Sequence, residues 1–254
     1  MSDTASSTAR DYDAVIIGAG FSGMYQLLSL RDKLGLKARV LEAADGVGGT
    51  WYWNRYPGAR CDSESHSYSY YFSKELLQEW NWTERYPEQP EILRYLNHVA
   101  DRFNLRKDIQ LNTRVKSARY DEAANRWTVT TEAGETLSCT YFITGVGCLS
   151  SANVPKIDGL NDFRGDWYHT GQWPHDGVNF AGKRVGVVGT GSTGIQAIPV
   201  IASQAKHLTV FHRTANYSIP AANAPVTDEE DAMVKAHYRE RRDRAWNSAT
   251  GLGF

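Results

Sequence analysis

With 254 residues, 41% of them hydrophobic, the chain is long enough for one large domain or two ordinary ones with real cores. Lys plus Arg at 28 against Asp plus Glu at 29 leave a formal net charge of -1, which supplies no basic field to attract nucleic acid or anionic lipid. Cys61, Cys139 and Cys148 form an odd set without CxxC spacing, and no HExxH or Cys/His cluster is present. That pattern argues against a disulfide framework or a metal centre and fits a reducing, cytoplasmic setting.

Residues 1–12 are polar and rich in small side chains, lack the apolar stretch of a secretory signal, and read as a disordered lead-in. Ala14 to Ile17 is a short apolar run ending in Gly18, Met24 to Leu34 reads as a helix, and Ala38 to Leu41 as a second strand, which makes a βαβ unit. Positions 46–90, crowded with aromatics, glycine and proline, predict irregular backbone with one helix near Lys74 to Gln78. Ile92 to Phe103 has helical spacing. Ile109 to Val115, Arg126 to Thr131 and Glu135 to Leu137 read as an antiparallel meander, and Tyr141 to Thr144 as an extended return to the first sheet. The glycines and prolines of 150–182 mark a connection between domains. A second βαβ unit follows, with Arg184 to Val188, Gly194 to Gln204 and His207 to His212 as strand, helix and strand. Asp228 to Trp246 then reads as one solvated helix with a thin apolar stripe and no site. Nowhere do about 18 apolar residues run together, so no spanning helix and a soluble protein are expected.

Each βαβ unit carries a GxGxxG loop: Gly18, Gly20 and Gly23 in the first, Gly189, Gly191 and Gly194 in the second. A strand that ends in a tight glycine turn and feeds a helix aims backbone N–H groups and the positive helix end at one point, where a pyrophosphate fits. The first glycine allows the turn, the second lets backbone approach phosphate, and the third allows helix to pack on strand. Glu42 stands 24 residues after Gly18, near the spacing of about 20 at which an acid meets a ribose hydroxyl pair. His212, 23 residues after Gly189, takes the corresponding position, followed by Arg213 and Thr214. Those groups donate to a 2′-phosphate rather than accept from a 2′-hydroxyl. The chain is thus expected to hold a flavin dinucleotide, FAD, at the first loop and NADP at the second.

Between the loops lies FRGDWYHTGQWP, in which Phe163, Gly165, His169, Trp173 and Pro174 match FxGxxxHxxxWP; upstream, Gly49, Trp51, Tyr56, Pro57, Gly58 and Asp62 match GxWxxxxYPGxxxD. Through these motifs and the two loops, nearly the whole chain resembles the type I Baeyer–Villiger monooxygenases, the group that includes phenylacetone and cyclohexanone monooxygenases. The resemblance implies an α/β fold with two Rossmann-like nucleotide-binding domains, the first carrying the meander. It places an FAD-binding domain at 13–149, the motif-bearing connection at 150–182 and an NADP-binding domain at 183–254. It implies oxygen insertion next to a ketone carbonyl, giving an ester or lactone through a flavin peroxide, with the cofactor carrying the hard chemistry.

The resemblance also implies site residues. For the flavin these are Gly18, Gly20, Phe21, Ser22, Gly23, Glu42, Gly49, Thr50, Trp51, Arg60, Asp62, Tyr68 and Val115; for NADP they are Gly189, Thr190, Gly191, Ser192, Thr193, Gly194, Gln196, Arg213 and Thr214. Asp62 is expected to orient a cation beside the flavin, against the alternative of a turn or cap in RCDSES. His169 is carried as a catalytic candidate, although a hydrogen-bonded hinge histidine is the reading favoured for it. Trp53, Tyr56 and Tyr70 join Trp51 and Tyr68 in an aromatic cluster that serves equally well as core.

The family pattern continues past the position of Phe254, and the arginine that family members use beside the Asp62 position lies in that further stretch. The chain therefore reads as an amino-terminal portion, inactive alone, with the carboxy-terminal portion on a separate chain as one candidate partner beside a ketone and O2; neither nucleic acid nor membrane is expected as a partner. Two other readings remain open: a nucleotide-binding module without monooxygenase activity, and an S- or N-oxygenating flavin monooxygenase.

Overall fold

The computed structural model describes residues 10–249. They form two compact units, one built from the chain up to Trp53 with Leu96–Leu160, the other from Asn54–Tyr95 and the chain from Asn161 onward. The α/β class is as expected. Residues 54–95, placed in the first domain on sequence order, pack with the second βαβ unit instead.

The first unit is a six-stranded mixed sheet in the order β3-β2-β1-β6-β5-β4. β1 (Arg10–Ile17) pairs in parallel with β2 (Ala38–Leu41) and with β6 (Thr136–Thr144). The expected lead-in of 1–12 is corrected in part, residues 1–9 lying outside the described chain. Arg10 to Tyr12 belong to β1, in register with Leu137, Ser138 and Cys139. Tyr12 is buried among Leu41, Val129, Leu137 and Cys139, and Lys37 and Arg39 lie over its ring, so burial of that aromatic extends the strand.

Helix α1 (Phe21–Leu28) starts three residues earlier than periodicity suggests, because its N-cap is the loop's own Gly20. Its last turn widens into a π-helical segment at Ser29–Lys33. There the Arg31 guanidinium reaches the carbonyls of Phe103 and Asn104 and the Asp108 carboxylate.

The run Ile109 to Val115 is not one strand. β3 (Ile109–Gln110) extends the parallel sheet beside β2, and β4 (Val115–Asp121) opens the antiparallel meander with β5 (Arg126–Thr131). Asn112 breaks the run with φ of 52°, a left-handed conformation that asparagine tolerates better than most residues. Its N–H and that of Thr113 turn back to the carbonyls of Ala44 and Glu42. In contrast, Glu135 to Leu137 and Tyr141 to Thr144 merge into β6, whose first half pairs with β5 while its length pairs with β1.

In the second unit β7 (Arg184–Val188) and β8 (His207–Phe211) pair in parallel, joined by α5 (Ser192–Ala202). Trp173 and Phe180 pack on Ala197 and Ile201 of that helix, so the tryptophan of the connecting run is a core anchor. Residues 54–95 add α3 (Lys74–Glu79), capped by the Ser73 hydroxyl, the first part of α4 (Gln89–Arg102), and an aromatic cluster in which Tyr95 packs against Tyr70, Trp80 and Trp82. The Tyr95 hydroxyl accepts from the Tyr70 N–H, and burial pushes both phenols well above their ordinary value. Two short bridges, Arg60 with Glu88 and Glu84 with Pro225, tie segments of this unit together.

The expected single helix from Asp228 to Trp246 is two, α6 (Asp228–Ala236) and α7 (Tyr238–Asn247), broken at His237. A capping box of Thr227 with Glu230 starts α6. The pair is more than a solvated surface: Val234, Tyr238 and Ala245 are buried, Asp231 accepts from His66, and the Tyr238 hydroxyl reaches the Tyr71 carbonyl.

Candidate functional site

The first glycine loop is built as its sequence requires. Gly18 adopts φ of 96°, open to glycine and closed to most L residues, and its N–H donates to the Leu41 carbonyl at the end of β2. A Cβ on Gly18 would lie 2.7 Å from the Gly145 carbonyl oxygen, and one on Gly23 would overlap the Gly18 carbonyl. Helix α1 begins with no side-chain cap and no acid in its first turn, which leaves the positive helix end to the loop.

Glu42 follows β2 directly and is 4% exposed. Its carboxylate accepts from the backbone N–H of Ala19 at 2.6 Å and of Ala44 at 2.9 Å. Each oxygen takes one of these bonds, so each keeps a further acceptor direction. The same acid that suits a ribose also holds the loop in shape. Gly48 donates to the Ala19 carbonyl, and a Cβ on Gly20 would come within 3.3 Å of Gly49. Gly49, Thr50 and the buried Trp51, on α2 (Thr50–Trp53), are thereby brought to the first loop, together with Phe21 and Ser22 at the start of α1. Val115 opens β4 and packs against the sheet core around Leu41 and Val129.

The second loop repeats the first. Gly189 has φ of 102°, and its N–H donates to Phe211 at the end of β8 as Gly18 does to Leu41. Gly191 caps α5 as Gly20 caps α1, again with no side-chain cap and no acid in the first turn. A Cβ on Gly194 would lie 2.5 Å from the Gly189 carbonyl oxygen. His212 therefore holds the position of Glu42 by backbone hydrogen bonding as well as by spacing, and His212, Arg213 and Thr214 are exposed at the strand tip. The Asn216 amide donates to the Thr190 carbonyl at 2.7 Å, fixing the segment after β8 to the glycine loop. Asn216 is a contact that no spacing rule points to.

The second loop is the more open of the two. A Cβ on Gly191 would meet nothing within 4 Å, so no protein atom demands glycine there and the backbone is open to close approach by a phosphate. That open cradle, an uncapped helix end and donors at the strand tip suit a 2′-phosphorylated dinucleotide.

Asp62, Arg60 and Tyr68 belong to the second unit. The Asp62 carboxylate is exposed and accepts from Gln196 Nε2 at 2.7 Å. Arg60 is committed to ion pairs with Glu88 at 2.7 Å and Glu84 at 3.4 Å. Tyr68 sits in a turn, its N–H donating to the Glu64 carbonyl. Tyr56, matched to the upstream motif but given no site role on sequence, donates to Gln196 Oε1 at 2.8 Å. Burial pushes its hydroxyl above the ordinary value, with the nearby Asp62 charge adding and a Thr193 hydrogen bond opposing. His169 caps the short turn Thr170–Gln172, its Nδ1 accepting from the Gly171 N–H at 3.1 Å. The bond is local to the connecting run. Phe163, the first residue of the connecting motif, is 61% exposed.

A family model described as flavin-binding monooxygenase-like matches residues 12–223. The chain belongs to that family. It is 48% identical over 254 residues to a Baeyer–Villiger monooxygenase of Pseudooceanicola batsensis, covering all of this chain and 46% of that protein. It is equally 48% identical over 243 residues to the phenazine N-monooxygenase PhzNO1 of Lysobacter antibioticus, covering 96% of this chain and 45% of that protein. Among solved structures, an oxidised steroid monooxygenase bound to NADP superposes with a TM-score of 0.92 at 57% identity, covering 97% of this chain and 47% of that one. The chain thus spans about half the length of the curated relatives it matches. Among the described residues no helix is long and apolar enough to cross a membrane.

Proposed function

We propose that this chain supplies the two nucleotide-binding units of an FAD- and NADPH-dependent monooxygenase that inserts one atom of O2 next to a ketone carbonyl. The repeated loop carries this reading: the same strand, turn and helix end twice, once beside an acid and once beside His212, Arg213 and Thr214. The Baeyer–Villiger and steroid monooxygenase relatives support the chemistry, and the NADP bound to the latter supports the second nucleotide.

Bound flavin would supply hydride acceptance from NADPH and activation of O2. The chain's own residues bind and orient. Backbone N–H groups at the start of α1, with Ser22, would hold the flavin pyrophosphate and Glu42 its ribose, while Gly49, Thr50 and Trp51 wall the loop. The start of α5, with Thr190, Ser192 and Thr193, would hold the NADP pyrophosphate, and Arg213 and Thr214 its 2′-phosphate. Asp62 is the carboxylate available to orient a cation near the reacting groups, where developing charge has to be stabilised. In this reading the capping geometry makes His169 a shaping residue of the connecting run.

Arg213 tests the placement of NADP. Arg213→Ala should reduce the preference for NADPH over NADH, measured as the ratio of dissociation constants, by roughly ten- to a hundredfold, since a charge-assisted contact to phosphate is worth about 1.5–3 kcal/mol. An unchanged ratio would put the 2′-phosphate elsewhere.

The phenazine N-monooxygenase, as similar as the Baeyer–Villiger relative, favours N-oxygenation as a second reading. Product analysis of the full-length gene product with a cyclic ketone and with an aromatic N-heterocycle separates them: ester or lactone supports the first, N-oxide the second.

A further inference from the structure

Gln196 stands on the second turn of α5, the helix that starts at the second glycine loop, and its side-chain amide is fully occupied by protein. Oε1 accepts from the Tyr56 hydroxyl at 2.8 Å and the Arg60 N–H at 3.2 Å; Nε2 donates to the Arg60 carbonyl at 3.1 Å and to Asp62 Oδ1 at 2.7 Å. A primary amide has two donor hydrogens and two acceptor lone pairs. All four are used, and all four partners lie within the segment 56–62.

The backbone reinforces the docking. Gly58, with φ of 77°, lies so close to α5 that a Cβ would overlap the Gln196 carbonyl oxygen and come 3.0 Å from Val200. Thr193, one turn earlier, hydrogen-bonds Tyr56. No hydrogen of the Gln196 amide remains for a nucleotide. The only charged group among its partners is the exposed Asp62 carboxylate, whose hydrogen bond to Nε2 is short and charge-assisted.

We infer that Gln196 is a positioning residue for Asp62 rather than a nucleotide ligand: it ties the carboxylate to the helix whose start cradles NADP, so the two are presented as one piece. This rests on the function proposed above. The amide is suited to the task because its two ends differ. Exchanging N for O would face an oxygen to the Arg60 carbonyl and the Asp62 carboxylate, and donors to the Arg60 and Tyr56 donors.

The test uses the full-length gene product with FAD and NADPH, and compares Gln196→Glu, Gln196→Leu, Asp62→Ala and the double variant Gln196→Leu/Asp62→Ala. Gln196→Glu keeps the acceptor for Tyr56 and the Arg60 N–H but turns a carboxylate on Asp62. It should lower kcat by roughly ten- to a hundredfold, the worth of a charge-assisted contact, while the NADP+ dissociation constant, read by equilibrium titration, stays within about twofold. In the Asp62→Ala background, Gln196→Leu should cost no further kcat, because residues acting through one another are not additive.

A rise in the NADP+ dissociation constant with Gln196→Glu would make Gln196 a nucleotide ligand. A lower melting temperature with unchanged kcat would make it a structural prop, and additive losses in the double variant would separate it from Asp62. Each of these overturns the inference while leaving the proposed function intact. Failure of the parent protein to bind NADP+, or an Asp62→Ala variant with parental kcat, would instead defeat the underlying reading and the inference with it.

Discussion

Gly23→Ala should unfold the first unit or strip it of flavin, although it adds a single methyl group. The new Cβ would overlap the Gly18 carbonyl oxygen. That oxygen has no retreat: Gly18 is held at φ of 96°, its own Cα faces the Gly145 carbonyl, and its N–H is bonded to Leu41. Overpacking of a well-packed site costs about 1–3 kcal/mol and at times more. A backbone clash with no flexible side chain to yield belongs at the upper end. Circular dichroism melting and the flavin retained through purification are the measurements. A variant that melts with the parent and keeps its flavin would show that the contact of helix on strand is looser than described.

Gly191→Val should have the opposite signature. Its Cβ direction is open to 4 Å, and φ of -70° with ψ of -178° is ordinary extended backbone that valine adopts readily. Loss of glycine at an N-cap costs about 1 kcal/mol, so the melting temperature should shift little. NADP+ affinity should nonetheless fall by roughly a hundredfold or more, equivalent to about 2.7 kcal/mol, because the added side chain occupies the space from which phosphate approaches the backbone. Fluorescence titration with NADP+ decides it. Parental affinity in a folded variant would remove the pyrophosphate from this loop.

The contrast between these two glycines marks what was legible in the sequence. GxGxxG after an apolar strand specifies a positive φ, a helix start and a close helix contact, all local consequences of absent side chains, and both loops form as read. The equivalence of Glu42 and His212 was legible from spacing and is reinforced by the matching bonds of Gly18 to Leu41 and Gly189 to Phe211.

What escaped was non-local or ambiguous in period. Ile109 to Val115 reads as one strand until Asn112 turns it, and no alternation of residues tells whether β3 pairs with a parallel or an antiparallel neighbour. Residues 54–90 show no sustained period in sequence. Their allegiance to the second unit rests on partners more than a hundred residues away, such as Gln196 for Tyr56 and Asp62, and Asp231 for His66. Arg60, expected at the flavin from the resemblance, is paired with two glutamates in space. His169, among aromatics and glycines, has the composition of a catalytic site and the geometry of a cap, because a histidine followed by Thr-Gly can close its own turn through Nδ1.

The measurement closest to the central claim is a competition titration of the purified chain with FAD and NADP+, separately and together, with binding stoichiometry read by calorimetry and flavin fluorescence. Two different loops, each with its own strand-tip chemistry, predict one FAD and one NADP+ per chain, neither displacing the other, with Gly191→Val abolishing only the second. A folded chain in which NADP+ displaces FAD from a single site, or in which Gly191→Val removes both nucleotides together, would contradict it.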